Sequence, residues 1–181
     1  LSRLSSQQAS ALYHTGAVDE ALSRIEESLA LDQSKPDLAN NMVRQNNLAL
    51  LAKIINEFLE NSAFTEALAL CDRFSSYFQQ DSSFPTIYRM IYSHWSNYYW
   101  QRQEWQAAQN MLHEELELTP PSDSEKVERL RSQITSCYLN RGTTALKKND
   151  WGKAIELYRE GLVWASANTP DRSGEFRHYM A

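Results

Sequence analysis

Four histidines, two cysteines and two adjacent acidic pairs are the residues here whose types could do chemistry. His14, His94, His113 and His178 stand far apart. None has a second histidine three or four residues away, the spacing that sets two imidazoles on one helical face for zinc. His113 is followed by Glu114 but lacks the second histidine of a zinc-protease helix. Cys71 and Cys137 form no CxxC pair and are too few for a disulfide framework. Both fall on apolar helical positions, so buried structural thiols in a reducing, cytoplasmic compartment are expected. The pairs Glu26/Glu27 and Glu114/Glu115 read as solvated helix surface rather than acid and base. Phosphate-cradling glycine loops and a nucleophile elbow are both absent. No catalytic residue, metal site or cofactor is therefore expected, and the chain reads as something other than an enzyme.

Charge narrows the partners. The formal net charge is −5 and the longest basic cluster is Lys147 with Lys148, so no electrostatic footprint for nucleic acid is present. Hydrophobic residues at 42% and charged residues at 23% are the balance of a folding chain, not a disordered one. The 181 residues suffice for a single domain. No run approaches the roughly 18 to 20 apolar residues of a membrane span. The N-terminal LSRLSSQQAS carries neither basic leader nor apolar run. A repeat pattern begins almost at once after a first residue that is Leu, so the chain reads as a piece of a longer protein.

The elements that must position any site are helices. Pro36, Pro85, Pro120, Pro121 and Pro170 all lie in short polar stretches, and each marks a helix start, since proline suits a first turn and damages an interior. Between them apolar residues recur at helical spacing, as in Leu48, Leu51, Ile54, Ile55 and Phe58. Asp37, and Ser122 with Glu125, have the pattern of capping residues. First helices of about 25 residues are expected over Asp37 to Asn61 and Ser122 to Lys148.

Self-comparison gives four units. VDEALSRI, FTEALALC, WQAAQNML and WGKAIELY share a bulky residue (Val18, Phe64, Trp105, Trp151), a small one three later (Ala21, Ala67, Ala108, Ala154) and a larger one after four more (Ile25, Cys71, Leu112, Tyr158). The steps from alanine to alanine are 46, 41 and 46 residues. Five residues before each alanine stand Gly16, Ser62, Gln103 and Asn149, where one helix must stop and reverse. The units run over about 1–35, 36–83, 84–121 and 122–169, with the start of a further or capping helix over 170–181.

This arrangement resembles the tetratricopeptide repeat family in a long-helix variant. The segment GTTALKKNDWGKAIELYREGL, Gly142 to Leu162, carries the pattern best, through Gly142, Trp151, Ala154, Tyr158 and Gly161. The third unit has Ser96 and Glu115, and the second Ile55 and Phe74, where small residues usually pack. Similar long-helix forms are the sensor domains of bacterial regulators and kinesin light chains. HEAT and armadillo repeats share the period but not the bulky, alanine, large spacing. The resemblance implies an all-α, right-handed superhelical stack of antiparallel helix hairpins, an α-solenoid forming one domain. Within it Trp151→Ala is expected to cost about 3 to 5 kcal/mol, and a larger residue at Ala154 about 1 to 3 kcal/mol.

In that family the first helices line a peptide-holding groove. Aligning units two to four gives three polar columns: Lys53, His94 and Asn140; Asn56, Asn97 and Thr143; Glu60, Gln101 and Lys147. Spacings of three and four put each helix's trio on one face, where Asn and Gln could bond a bound backbone. Ser6, Ala52, Ser93 and Leu139 occupy the column that is basic in members gripping chaperone tails, which argues against that partner. Tyr88, Tyr92, Trp95 and Tyr99 form a core stripe; Tyr98 and Trp100 fall off it and are candidate exposed anchors. The expected function is a non-catalytic protein- or peptide-binding scaffold or regulatory docking domain. Two alternatives are a ligand-sensing regulatory domain and a self-association module, the latter a homo-oligomer through Phe176, Tyr179 and Met180.

Overall fold

The computed structural model describes residues 1–33, 38–79, 81 and 83–180, and these form helices and short connections with no strand among them. Pro36 and Asp37, read as a helix start, lie outside the described residues, as does the side chain of Met180. Four helix pairs follow one another: α1 (Ser2–His14) and α2 (Val18–Gln33), α3 (Leu38–Glu60) and α4 (Phe64–Ser75), α5 (Phe84–Gln101) and α6 (Trp105–Glu117), α7 (Ser124–Lys147) and α8 (Trp151–Asn168). A 3-10 turn at Pro170–Arg172 leads into α9 (Ser173–Met180). Two compact units divide the chain at Tyr88 and Arg89, inside α5.

Each pair turns through the same backbone device. Gly16, Ser62, Gln103 and Asn149 have φ of 83°, 57°, 58° and 59°, the left-handed region that ends a helix by reversing it. Their N–H groups donate back three residues at 2.9–3.0 Å, and those of the next residues donate back five, Ala17 to Leu12, Ala63 to Phe58, Glu104 to Tyr99 and Asp150 to Ala145. Both bonds together make a Schellman motif, which satisfies carbonyls that a helix end leaves orphaned. The next helix starts at once, and three residues into it comes the repeated alanine, which is 0% exposed in all four cases.

Gln103 is the worst-suited of the four, because a long side chain in this region costs about 1 to 2 kcal/mol that glycine escapes. Gln103→Gly is therefore expected to raise the urea-unfolding free energy by about 0.5 to 1 kcal/mol after glycine's own entropy is deducted. Asn149→Gly should be nearly neutral, since asparagine already tolerates the conformation. Equal effects of the two substitutions would contradict the assignment.

In the first unit α3 packs against α1, α2 and α4. Its core joins Ala9, Ala21, Ile25 and Leu29 to Leu51, Ile54, Ile55, Cys71, Phe74 and Phe78, all at most 2% exposed. The large Ile55 and Phe74 are thus accommodated fully inside. Buried Asn47 is held by donating to the Ser28 hydroxyl at 2.9 Å, which in turn donates to the Ser2 carbonyl at 2.9 Å. That pairing matters because a buried amide without partners costs free energy.

In the second unit α7 packs against α6 and α8, and α9 closes on α8. One cluster joins Ala108 and Leu112 to Leu130, Ile134 and Cys137; the other joins Ala154, Leu157, Tyr158 and Ala165 to Phe176. Gly142 is glycine because a Cβ there would overlap the Tyr158 ring, and Gly161 because one would overlap Phe176 and Tyr138. Arg172 fastens the C-terminal end by donating to the Ser132 carbonyl at 2.7 Å and the Ser136 hydroxyl at 3.1 Å.

Four expectations need correction. Trp151 is 62% exposed, so truncating it removes little burial and cannot cost what a core tryptophan would. Glu115 is 1% exposed rather than solvated, and forms an ion pair with Lys126. The cap of α7 is Asp123, whose carboxylate accepts from the Lys126 N–H at 3.4 Å, because Asp123 N–H bonds back to Pro120 and leaves Ser122 outside the helix. Phe176 is 0% exposed against its own chain, where it seals α8 rather than waiting for a neighbour.

Candidate functional site

The groups read for chemistry sit apart. Among the described residues no three His, Cys, Asp or Glu side chains are grouped to hold a metal, and no helix is long and apolar enough to cross a membrane. Cys71 and Cys137 are buried, and that burial pushes both thiols up to about 12, so neither offers a thiolate near neutral pH. His113 is half-buried edge-on to Trp164, with ring centroids 4.9 Å apart, and burial holds its pKa below the usual histidine range. Glu26 meets Arg73 at 2.5 Å across the first unit.

The first unit carries an open polar cleft of about 330 Å³ between α1 and α3. Ser6, Gln7, Ser10 and His14 come from α1, spaced so that one helical face supplies them; Asn46, Ala49, Leu50 and Lys53 come from α3. Lys53 of the first polar column therefore lines it. Asn56 and Glu60 follow one and two turns along α3 and are exposed. Beside them the Tyr13 hydroxyl donates to the Glu57 carboxylate, tying α1 to α3 and raising the Tyr13 pKa.

In the second unit His94, Asn97 and Gln101 are exposed on α5, and Lys147 is exposed on α7. Asn140 is half-buried. Thr143 faces inward: its hydroxyl donates to the Leu139 carbonyl at 2.9 Å and lies 3.2 Å from the Tyr158 hydroxyl. Trp100 is not a projecting anchor. It is half-buried against the cluster of Ala108, Leu112 and Leu130, edge-on to Trp105 at 5.2 Å, because the reversal at Gln103 folds the end of α5 onto the start of α6. Tyr98 is half-buried and carries the Arg102 guanidinium over its ring at 5.2 Å.

A larger open cleft, about 820 Å³, lies in the second unit, where no sequence motif marks it. Its walls are the start of α6, the face of α7 carrying Arg141, Thr144 and Ala145 with Lys148 at the helix's C-terminal cap, and the start of α8. The signal was present as a spacing of three, one and three on α7, but only folding supplies the opposite wall. Scanning protein-family models gives no match to this chain, and a search of curated proteins gives none, so its function must be argued from its own residues.

Proposed function

We propose that this chain is a non-catalytic scaffold of tetratricopeptide type that holds a protein or peptide against the polar faces of its first helices. The observation that carries the reading is the recurrence of one reversing turn at Gly16, Ser62, Gln103 and Asn149, each five residues before a fully buried alanine. Such periodicity belongs to repeat architectures, in which hairpins bury their sides on one another and offer extended surfaces for binding. A right-handed superhelical stack is part of the same proposal.

The exposed Lys53, Asn56 and Glu60 on α3, and His94, Asn97 and Gln101 on α5, are the side chains assigned to the ligand. Asparagine and glutamine amides offer donor and acceptor together, which suits a peptide backbone. Selection of a displayed random-peptide library on the intact chain tests this. The selected peptides should lose about tenfold or more in affinity to a Lys53→Ala/Asn56→Ala or a His94→Ala/Asn97→Ala variant whose circular dichroism is unchanged. A selection in which no peptide is weakened by either variant would defeat the assignment.

A further inference from the structure

We infer that the cleft bounded by α6, α7 and α8 is a second docking site, for an extended acidic peptide segment carrying an apolar side chain between its carboxylates. The chain as a whole is acidic, at −5, yet this cleft gathers Arg141, Lys148 and Lys153. Its two acidic residues are already engaged: Glu104 pairs with Arg102 at 2.6 Å, and Asp150 accepts from the Lys153 N–H at 3.0 Å as the cap of α8. Lys153 meets Glu156 at 2.8 Å. Arg141 donates to the neutral Gln109 amide oxygen at 2.7 Å, and among the described residues no carboxylate forms an ion pair with Arg141 or Lys148. Two cations thus stand on one wall of an open cleft without anionic partners, and charge complementarity specifies an acidic occupant.

Spacing and floor refine that occupant. Arg141 and Lys148 are seven residues apart on one helical face, a rise of about 10 Å. An extended strand turns alternate side chains to one face and rises about 13 Å in four residues, so flexible acidic side chains four apart meet both cations from that face, with the residue midway facing the same wall. Between them Ala107, Ala145 and the half-buried Trp105 give an apolar bed suited to a side chain from the middle of such a segment. A nucleic acid strand fits less well, because the cations are few and the surrounding chain is negative.

Titration of the whole 181-residue chain with a fluorescein-labelled, end-capped peptide Gly-Glu-Ser-Leu-Ser-Glu-Gly, followed by anisotropy, tests the inference. Affinity is expected to exceed that of the Gln-for-Glu counterpart about tenfold and to fall as salt rises. It should drop about tenfold in Arg141→Gln/Lys148→Gln and also in Lys148→Gln/Lys153→Gln, which leaves the Arg141 to Gln109 bond intact. Lys53→Ala/Asn56→Ala should leave it unchanged, separating this site from the face proposed above. Equal affinity for the glutamine peptide, indifference to both cleft variants, loss on the α3 variant, or tighter cleft-dependent binding of a single-stranded DNA 12-mer would each overturn it.

Discussion

Replacing Tyr158 with alanine is expected to lower the unfolding free energy by about 3 to 5 kcal/mol, measured by urea titration of circular dichroism. Tyr158 is 0% exposed and holds together three elements of the second unit. Its ring fills the space that the missing side chain of Gly142 leaves on α7, meets Phe176 edge-on at 6.5 Å between centroids, and stacks on Tyr179 at 4.9 Å. Truncation therefore opens a cavity against a glycine, which has no side chain to collapse into it, and loosens α9 at the same time. Tyr158→Phe isolates the hydroxyl, which lies 3.2 Å from that of Thr143, and should cost about 1 kcal/mol. Trp151→Ala serves as the comparison: with 62% of that residue exposed, the loss should stay within about 0.5 kcal/mol. If Trp151→Ala proved the more damaging of the two, the packing described for α8 would be wrong.

That contrast shows which features were legible before folding. The alanines at 21, 67, 108 and 154 and the reversals five residues before them are local requirements: a Schellman turn needs a left-handed residue, and a close crossing needs a small one. Both requirements leave a mark at fixed spacing, so they survive even where Gln103 or Ser62 fills the position less comfortably than glycine. Trp105 and Trp151 occupy equivalent positions by that same spacing, yet one is half-buried and the other mostly exposed. What covers such a side chain is a different helix, and no spacing within its own segment encodes the neighbour. The half-burial of Trp100 is hidden for a related reason, since helical periodicity along α5 ignores the reversal that folds its end onto Trp105. The cleft containing Arg141 and Lys148 is not legible in the sequence because two of its three walls come from α6 and α8.

Glu115 is the remaining case, and it carries the second large expected effect. Its side chain is 2% exposed and that of Lys126 is 21% exposed, and the two form an ion pair across the connection from α6 to α7. Removing only the cation, as in Lys126→Met, leaves a buried carboxylate without this counter-charge, and should cost about 3 kcal/mol. Coulombic attraction in such a pair does little more than offset the desolvation of both ions, so replacing both members with apolar residues need not destabilise. Glu115→Leu/Lys126→Met is accordingly expected to recover most of the loss, with a coupling free energy of about 2 kcal/mol or more in the double-mutant cycle. High salt should change the wild-type stability little, because a buried pair is poorly screened. A Lys126→Met loss under about 0.5 kcal/mol would mean that the pair is solvated in solution, and that the α6 to α7 connection packs differently from the arrangement described.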